Sequence, residues 1–528
     1  MYNFRVLDCT LRDGGCVNDF NFGDDYIYQI KNGLEQSGVD IIELGYIDDK
    51  AGSESGRTQY INEKVIEKYI GEKKNNIMYV AMMDYGKFDP NNFGSRTETG
   101  IDGIRIAFHK KNCYDAVQVA KIISSKGYRV FLQPMLILRY TDEELLKLIQ
   151  HVNTELPDAE AFYIVDSFGE MRNHDLERLS YLIHHNLSRS ISLGLHSHNN
   201  LQLSYSNAIH LIEKNFDRKI IIDASIMGMG KGAGNLTTEL LFDHSNLYYG
   251  KNYLVTPLLN IIDNVLNQIY ADFKWGYSVE YYLSASNSCT PSYAKYFFSK
   301  HLLSISEIGN LLSQIPPEKQ ISYDKKFAEE LFFSYNHCVY DDTANVNKIQ
   351  SAIKGKKILL IGPGRSITKH TEKISKFLSD PSIVSIGLNL VDLFKMDFVY
   401  TNKSWVHEGA IHNGFTPIVL SNMGFAQKTD LVLQHDRWSK RNDELLDSSF
   451  EVVLNLLETL GAKEIYLAGF DGFEIDTNLN YYKEGMRRSL TKEDVSRMNQ
   501  KVLDTIKKYR EIVKIEFITP TKYEGQND

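Results

Sequence analysis

The chain has 528 residues, 43% of them hydrophobic and 24% charged, with a formal net charge of -9. That length exceeds one ordinary core and predicts two or three domains, and the acidic balance speaks against broad binding to nucleic acid or to an anionic membrane surface. No apolar run is long enough to span a bilayer, no secretory signal is visible, and five scattered cysteines without CxxC spacing (Cys9, Cys16, Cys113, Cys289, Cys338) read as reduced thiols of a cytoplasmic protein.

In chain order, an apolar run from Phe4 leads into Asp8-Cys9-Thr10-Leu11-Arg12-Asp13-Gly14-Gly15. The two glycines permit a sharp turn, and the Arg12–Asp13 pair at a strand end suits a site that handles a metal ion and a developing negative charge. Strand-type runs follow at Val39–Leu44, Ile77–Met82, Gly103–Ala107, Tyr128–Gln133, Ala161–Val165, Ser192–His196 and Lys219–Asp223, eight with the first. Amphipathic stretches such as Asp24–Gln36, Cys113–Lys126, Thr141–Glu155 and Asn200–Lys214 separate them. Eight βα units with near-continuous apolar strands predict a closed (β/α)8 TIM barrel over residues 1–255. An open doubly wound sheet is the alternative, but the Gly-rich phosphate turn it often carries after its first strand is absent.

From about Thr256 the strand-type runs fade. Segments such as Leu258–Tyr270, Tyr293–Lys300, Ser306–Gln314 and Lys325–Tyr335 predict a helical extension, with a polar linker at Tyr340–Lys357. Residues 256–350 are therefore read as extension and linker. A second α/β pattern fills residues 351–528. Strands are expected at Lys357–Ile361, Ile383–Gly387, Phe398–Thr401, Thr416–Leu420, Glu464–Leu467 and Val513–Ile518, with helices at Asp447–Leu460 and Lys492–Arg510. This predicts a smaller Rossmann-like open α/β domain.

The strongest chemical motif is Gly194-Leu195-His196-Ser197-His198-Asn199-Asn200. In an extended chain residues i and i+2 share a face, so His196 and His198 present two imidazoles together, as a divalent metal requires. Solvent-facing histidines are the bland alternative, with Asn199 and Asn200 as a turn and a helix cap. In a barrel, however, active-site residues gather at the carboxyl ends of the strands. Asp13 follows strand one, the histidines end strand seven, and Gly228-Met229-Gly230-Lys231-Gly232-Ala233-Gly234-Asn235 follows strand eight. Closure makes these strands neighbours, so Asp13, His196 and His198, with Asn235 as a further candidate, can share one ion. Such donors fit Mn, Co, Zn or Mg and do not choose among them.

These residues also carry a family resemblance. Asp-Cys-Thr-Leu-Arg-Asp-Gly at 8–14, His-Ser-His-Asn-Asn at 196–200 and Gly-Lys-Gly-Ala-Gly-Asn at 230–235 resemble the DRE-TIM metallolyases, the superfamily of hydroxymethylglutaryl-CoA lyase, isopropylmalate synthase and 4-hydroxy-2-oxovalerate aldolase. Val165-Asp166-Ser167-Phe168-Gly169-Glu170-Met171 is most similar to the aldolase branch. The resemblance implies metal-assisted cleavage or formation of a carbon–carbon bond in a 2-oxo acid. It implies Asp13, His196 and His198 as ligands, Asn235 as a ligand or a supporting group, Arg12 as donor to the enolate oxygen, and Ser167 as a holder of the substrate carboxylate. Glu43 would orient Arg12 or serve as a structural ion-pair partner. The branch carries a histidine three residues after the metal aspartate; here that position is Cys16. Substitutes for its proton-transfer role are Tyr46, His109, Gln133 as a hydrogen-bond donor to substrate, and Tyr293, with Cys16 itself as a lesser candidate.

In the second domain, Gly362-Pro363-Gly364-Arg365-Ser366 follows a strand and suggests a turn that admits a phosphate, although it is neither a full GxGxxG nor a Walker sequence. Asp471 stands at a second strand end. This half resembles the nucleotide-binding folds of bacterial sialyltransferases and hydroxymethylpterin pyrophosphokinase-like proteins. That implies a nucleotide or nucleotide-sugar near Gly362, Gly364, Arg365, Ser366, Asn389, Asn402 and Asp471. The expectation is a cytoplasmic carbon–carbon lyase of aldolase type, acting on a small 2-oxo acid, with no nucleic-acid partner and with homo-oligomerisation left open. The rival readings are a Claisen-type acyl-thioester synthase, a bifunctional enzyme with a C-terminal nucleotide-sugar transferase, and an inactive barrel used as a scaffold.

Overall fold

The computed structural model describes residues 2–52, 54–300, 303, 305–336, 340–439, 449–476, 480–483 and 491–524; Cys338 and the expected helix start at 447–448 lie outside them. The chain divides into two compact units, Met1–Lys295 with Ile315–Tyr323, and Tyr296–Gln314 with Asp324–Asp528.

The first unit is a parallel barrel. Its strands are β1 (Phe4–Asp8), β2 (Ile41–Ile47), β3 (Met78–Asp84), β4 (Gly103–Phe108), β5 (Arg129–Pro134), β6 (Ala161–Asp166), β7 (Ser192–Ser197) and β8 (Ile220–Ala224). They pair in the order β1-β8-β7-β6-β5-β4-β3-β2, and pairing of Leu7 with Ile41 and of Asp8 with Ile42 closes the ring. The alternation of strand side chains explains the near-continuous apolar runs. Leu7, Ile41, Val80, Phe131, Ala161, Tyr163, Val165 and Ile221 fill the interior. Their neighbours Val6, Ile42, Ala81, Ile104, Leu132, Phe162, Ile164 and Ile222 pack outward with the helices. The expected helices form at Asp24–Ser37, Cys113–Ser125, Asp142–Glu155 and Ser204–Glu213. The third starts on a reciprocal cap, in which the Thr141 side chain accepts from the Glu144 main chain and Glu144 accepts from the Thr141 main chain.

The second unit holds a seven-stranded sheet, every pairing of which is parallel. Its strands are β9 (Lys357–Ile361), β10 (Ile383–Leu388), β11 (Phe398–Tyr400), β12 (Thr416–Leu420), β13 (Leu431–Leu433), β14 (Glu464–Ala468) and β15 (Lys514–Phe517), in the order β13-β12-β11-β10-β9-β14-β15. The order reverses beside β9, the arrangement of a doubly wound fold. β13 was not anticipated, being only three residues long. The expected polar linker at Tyr340–Lys357 instead contains a helix, Thr343–Ile353. Val346, Ile349 and Ile353 recur at helical spacing and are buried in the core against the sheet, so the segment is part of the unit. Among the described residues no helix is long and apolar enough to cross a membrane.

Candidate active site

Strand alternation assembles the barrel's polar centre. Two steps beyond the interior residues Ile41, Phe131 and Ile221, the same strand faces carry Glu43, Gln133 and Asp223; Arg105 on β4 and His196 on β7 join them. All are buried, as are Arg12, Asp13, His198 and Asn235. Burying charges costs several kcal/mol each unless they are paired, and here they form a chain of pairs. Arg12 donates from Nε to Glu43 Oε2 at 2.7 Å and from Nη1 to Asp13 Oδ1 at 2.6 Å. Arg105 bridges Glu43 at 2.8 Å and Asp223, and its guanidinium lies 4.9 Å from the Tyr163 ring centre. The imidazole Nδ1 of His196 is 2.9 Å from Asp223 Oδ2. Two guanidinium charges face three carboxylates, Asp13, Glu43 and Asp223, which leaves one negative charge for a cation to balance.

Asp13, His196 and His198 hold their ligand atoms within 4.8 Å of one another. His198 follows β7 directly and is bridged to Asn235, so the turn after β8 is pinned beside the histidines. Asn235 donates to Asp13 Oδ2 at 2.7 Å and to the Met229 carbonyl at 3.2 Å. Gly230 is needed in this turn because a Cβ there would lie 2.3 Å from Asn235 Nδ2 and 2.5 Å from Asp13 Oδ2. Asn199 accepts from the Ser204 main chain and hydroxyl, tying the loop after β7 to the start of the next helix, and Asn200 laces the loops after β6 and β8 by bonding Phe168 and Ala233.

The electrostatics suit a cation site. Burial opposes charge on Asp13, but Arg12 and both histidines overcome it and hold the carboxylate well below its usual range. Burial also opposes charge on Arg12, which Glu43 and Asp13 more than offset. Burial pushes His198 down to about 4, so its imidazole is neutral, the form that ligates. Buried Arg12 Nη2, His198 Nδ1 and Asn235 Oδ1 have no hydrogen-bond partner. Two imidazoles, a carboxylate and an orphaned amide oxygen fit a divalent ion.

Several predicted residues have other uses. With its amide oxygen facing Arg105, Gln133 accepts from Nε at 3.3 Å and from Nη2 at 3.1 Å, so its oxygen braces the arginine. Ser167 Oγ accepts from the Leu136 main chain at 2.9 Å, tying the loops after β5 and β6. Tyr293 is buried and its hydroxyl is shared between the carbonyls of Lys319 and Ser322, so the structure gives it a turn-tying role in place of the expected catalytic one. Cys16 is exposed overall, but desolvation of its thiol and the nearby Asp13 push it up to about 12, so it is no base near neutrality. His109 is exposed after β4. Arg105 and Asp84 were missed; the alternation of their strands was the available signal.

In the second unit the turn after β9 is already filled. Asp471 accepts from the Ser366 main chain at 2.6 Å and from its hydroxyl at 2.5 Å. A protein carboxylate thus takes the place expected for a phosphate at Gly362–Ser366. Asn389 accepts from the Thr401 hydroxyl at 2.8 Å. A cavity of about 350 Å³ does open beside the turn, lined by Gly364, Asn389, Phe450, Phe470, Tyr523 and Arg497 among others.

The model of the HMGL-like family matches residues 103–247. A 4-hydroxy-2-oxovalerate aldolase of Bacillus cereus is 29% identical over 240 residues, 45% of this chain and 68% of the relative. One of Thermomicrobium roseum is 29% identical over 269 residues, 48% of this chain and 73% of its own. The crystal structure of the N-terminal domain of a candidate aldolase from Bacteroides vulgatus is similar with a TM-score of 0.50 and 27% identity, covering 56% of this chain and 96% of that one. Residues 103–247 of this chain thus match an HMGL-like domain.

Proposed function

We propose that the barrel is a divalent-metal-dependent aldolase that cleaves or forms a carbon–carbon bond in a 4-hydroxy-2-oxo acid. One observation carries the reading: Asp13, His196 and His198 converge within 4.8 Å beside a buried arginine with an unpartnered N–H group. The similarity to 4-hydroxy-2-oxovalerate aldolases supports the same reaction class. Asp13, His196, His198 and Asn235 would hold the ion, which when bound supplies Lewis acidity toward the oxygens of a 2-oxo acid. Arg12 is gripped by Glu43 through Nε and by Asp13 through Nη1, which leaves Nη2 for the oxygen that gains charge as the enolate develops. Asp223 engages Nδ1 of His196 and so favours Nε2 for ligation. The test is metal analysis of the purified chain and of His196→Ala, followed by assay of pyruvate release from a panel of 4-hydroxy-2-oxo acids. Bound metal and pyruvate in the wild type, both lost in the variant, are expected. Absence of metal from both proteins would sink the reading, and consumption of an acyl thioester without pyruvate release would favour the synthase.

The second unit supports a separate reading, a binding site for a nucleotide or another ring-bearing small molecule. Its cavity of about 350 Å³ lies beside the reversal of strand order, where doubly wound sheets bind ligands, and offers the rings of Phe450, Phe470 and Tyr523. The anionic part of such a ligand would lie toward Arg497 and Lys501, since Asp471 fills the Gly-rich turn. Equilibrium dialysis of the full chain against labelled nucleotides tests it, with saturable binding that weakens in Phe470→Ala expected and no saturable binding overturning it.

A further inference from the structure

We propose that Asp84 and Tyr46 are the proton-transfer pair of the barrel, an inference that rests on the aldolase reading. On β3, Met78 and Val80 lie against and within the interior cluster. Two-residue steps carry the same face through Met82 to Asp84, at the carboxyl end where a barrel places its chemistry. On β2 the register breaks: Glu43 pairs with Val80 and Tyr46 with Met82, three residues advancing against two. The extra residue is a bulge, a device that re-aims a side chain. Gly45 makes it possible, with φ 150° and a backbone so near Thr58 that a Cβ would sit 2.1 Å from its carbonyl oxygen. Regular alternation would turn position 45 inward after Glu43; the bulge turns Tyr46 inward instead, onto the face of Met82 and Asp84.

There the Tyr46 hydroxyl and the Asp84 carboxyl lie within electrostatic reach of each other. Both residues are half-buried, neither sealed in the core nor loose on the surface. The charged and titratable groups facing Asp84 are Arg12, Lys87, His109 and Tyr46. Asp84 and Asp48 face Tyr46, and Asp84 also faces the Cys16 thiol. The pair therefore lies at the carboxyl ends of β2 and β3, within electrostatic reach of the enolate-directed arginine and, through Asp84, of Cys16. The other buried carboxylates at this end are committed: Asp13 and Glu43 to Arg12, Asp223 to Arg105, Asp8 to the Thr10 main chain and the Thr238 hydroxyl, Asp48 to the Lys50 main chain and Lys87, and Asp166 to the main chain of Glu170 and Met171. Burial raises Asp84 above its ordinary value, toward the range of a working general base, and burial together with Asp84 keeps the Tyr46 hydroxyl protonated.

In the cleavage direction the substrate's 4-hydroxyl proton passes to the Tyr46 oxygen while Tyr46 gives its own proton to the Asp84 carboxylate. The freed electron pair on the substrate oxygen forms the aldehyde carbonyl, the C3–C4 bond breaks, and its electrons become the enolate. The same proton then returns through Tyr46 to C3, which yields pyruvate. No oxidant, reductant or further reactant is needed.

The test compares Mn²⁺-loaded full-length wild type with Asp84→Asn, Asp84→Glu and Tyr46→Phe. Pyruvate release is measured across pH, and Mn²⁺ affinity is measured separately by titration. The expected result is a kcat loss of about 100-fold or more in Asp84→Asn and Tyr46→Phe. The acid limb of the kcat/KM profile should disappear in Asp84→Asn, Asp84→Glu should recover part of the rate, and Mn²⁺ affinity should hold in all four. Near-wild-type rates with the acid limb intact overturn the pair, as does loss of Mn²⁺ affinity in step with activity. If Asp84→Asn does not fold, Tyr46→Phe decides alone. A wild type that releases no pyruvate sinks the aldolase reading and this pair with it, whereas an active wild type with active variants sinks the pair alone.

Discussion

At the mouth of the barrel, Arg12 Nη2, His198 Nδ1 and Asn235 Oδ1 are buried without hydrogen-bond partners. At the turn after β9 in the second unit, the Ser366 main chain and hydroxyl are bonded to Asp471. Both places lie at the carboxyl ends of parallel strands, yet one leaves buried polar atoms open and the other closes them within the protein. A buried polar atom without a partner costs about 1–3 kcal/mol, so a convergent set of them marks a place that a ligand completes. The histidines show the same contrast. His407 Nε2 is 2.7 Å from Asp430 Oδ2, and that oxygen also accepts from the Gln427 main chain at 2.6 Å, a structural staple on which, among the described residues, no set of metal-ligating groups converges. His196 meets Asp223 through Nδ1 and still holds a ligand position beside Asp13 and His198. A strand end or a His–Asp pair is therefore a weak sign of function until its remaining atoms are accounted for.

The largest effect that tests this contrast is expected from Arg12→Lys. Lysine keeps the charge but lacks the fork that grips Glu43 and Asp13 while offering a third N–H group. Pyruvate release should fall about 10²–10³-fold with bound metal retained, as activity and metal content measured on the same samples will show. Asp223→Asn comes next. It removes the carboxylate between Arg105 and His196, and metal affinity, read by Mn²⁺ titration, should weaken about 10–100-fold. If either variant behaves as wild type, the open atoms at the barrel mouth do not mark function. In the closed turn, Asp471→Asn should cost only about 1–2 kcal/mol of unfolding free energy by denaturant titration, because one neutral acceptor still reaches Ser366.

What could be read before the fold was known followed the distance over which each feature is built. His196 and His198 are two residues apart on one strand, and Asp13 and Asn235 sit in glycine-marked turns, so local rules found them. The barrel was legible because its strands repeat, and β1 to β8 lie within a few residues of the apolar runs. Arg105 was hidden because its partners Glu43 and Asp223 come from other strands, and only barrel closure supplies them. Asp84 was hidden because it lies beyond the apolar run that ends at Met82. The turn at Gly362–Ser366 looked open for the same reason: the carboxylate that fills it is 105 residues away. The helix Thr343–Ile353 was masked by its polar face, although Val346, Ile349 and Ile353 carry the helical period.

The last test concerns a closed group inside the barrel and approaches the contrast from the other side, through pH rather than activity. Asp166 accepts from the main chains of Glu170 and Met171 and from the Ser197 hydroxyl. Burial outweighs those bonds and raises it from 3.8 to about 7. A carboxyl raised in the folded state favours folding fully below its unfolded value, and that contribution is lost as pH rises through about 7. His198 acts in the opposite sense: lowered from 6.5 to about 4, it contributes stability above 6.5 that is lost as pH falls toward 4. The two slopes oppose each other between pH 4 and 6.5, so the metal-free wild type should show little net pH dependence from them. Asp166→Asn removes one slope only. Urea unfolding of metal-free variant and wild type at a series of pH values should therefore give a difference that changes steadily from pH 4 to 7 in favour of the variant. A constant difference would mean that Asp166 keeps an ordinary carboxylate pKa in the fold, and that its three bonds leave it no more protonated than a surface carboxylate.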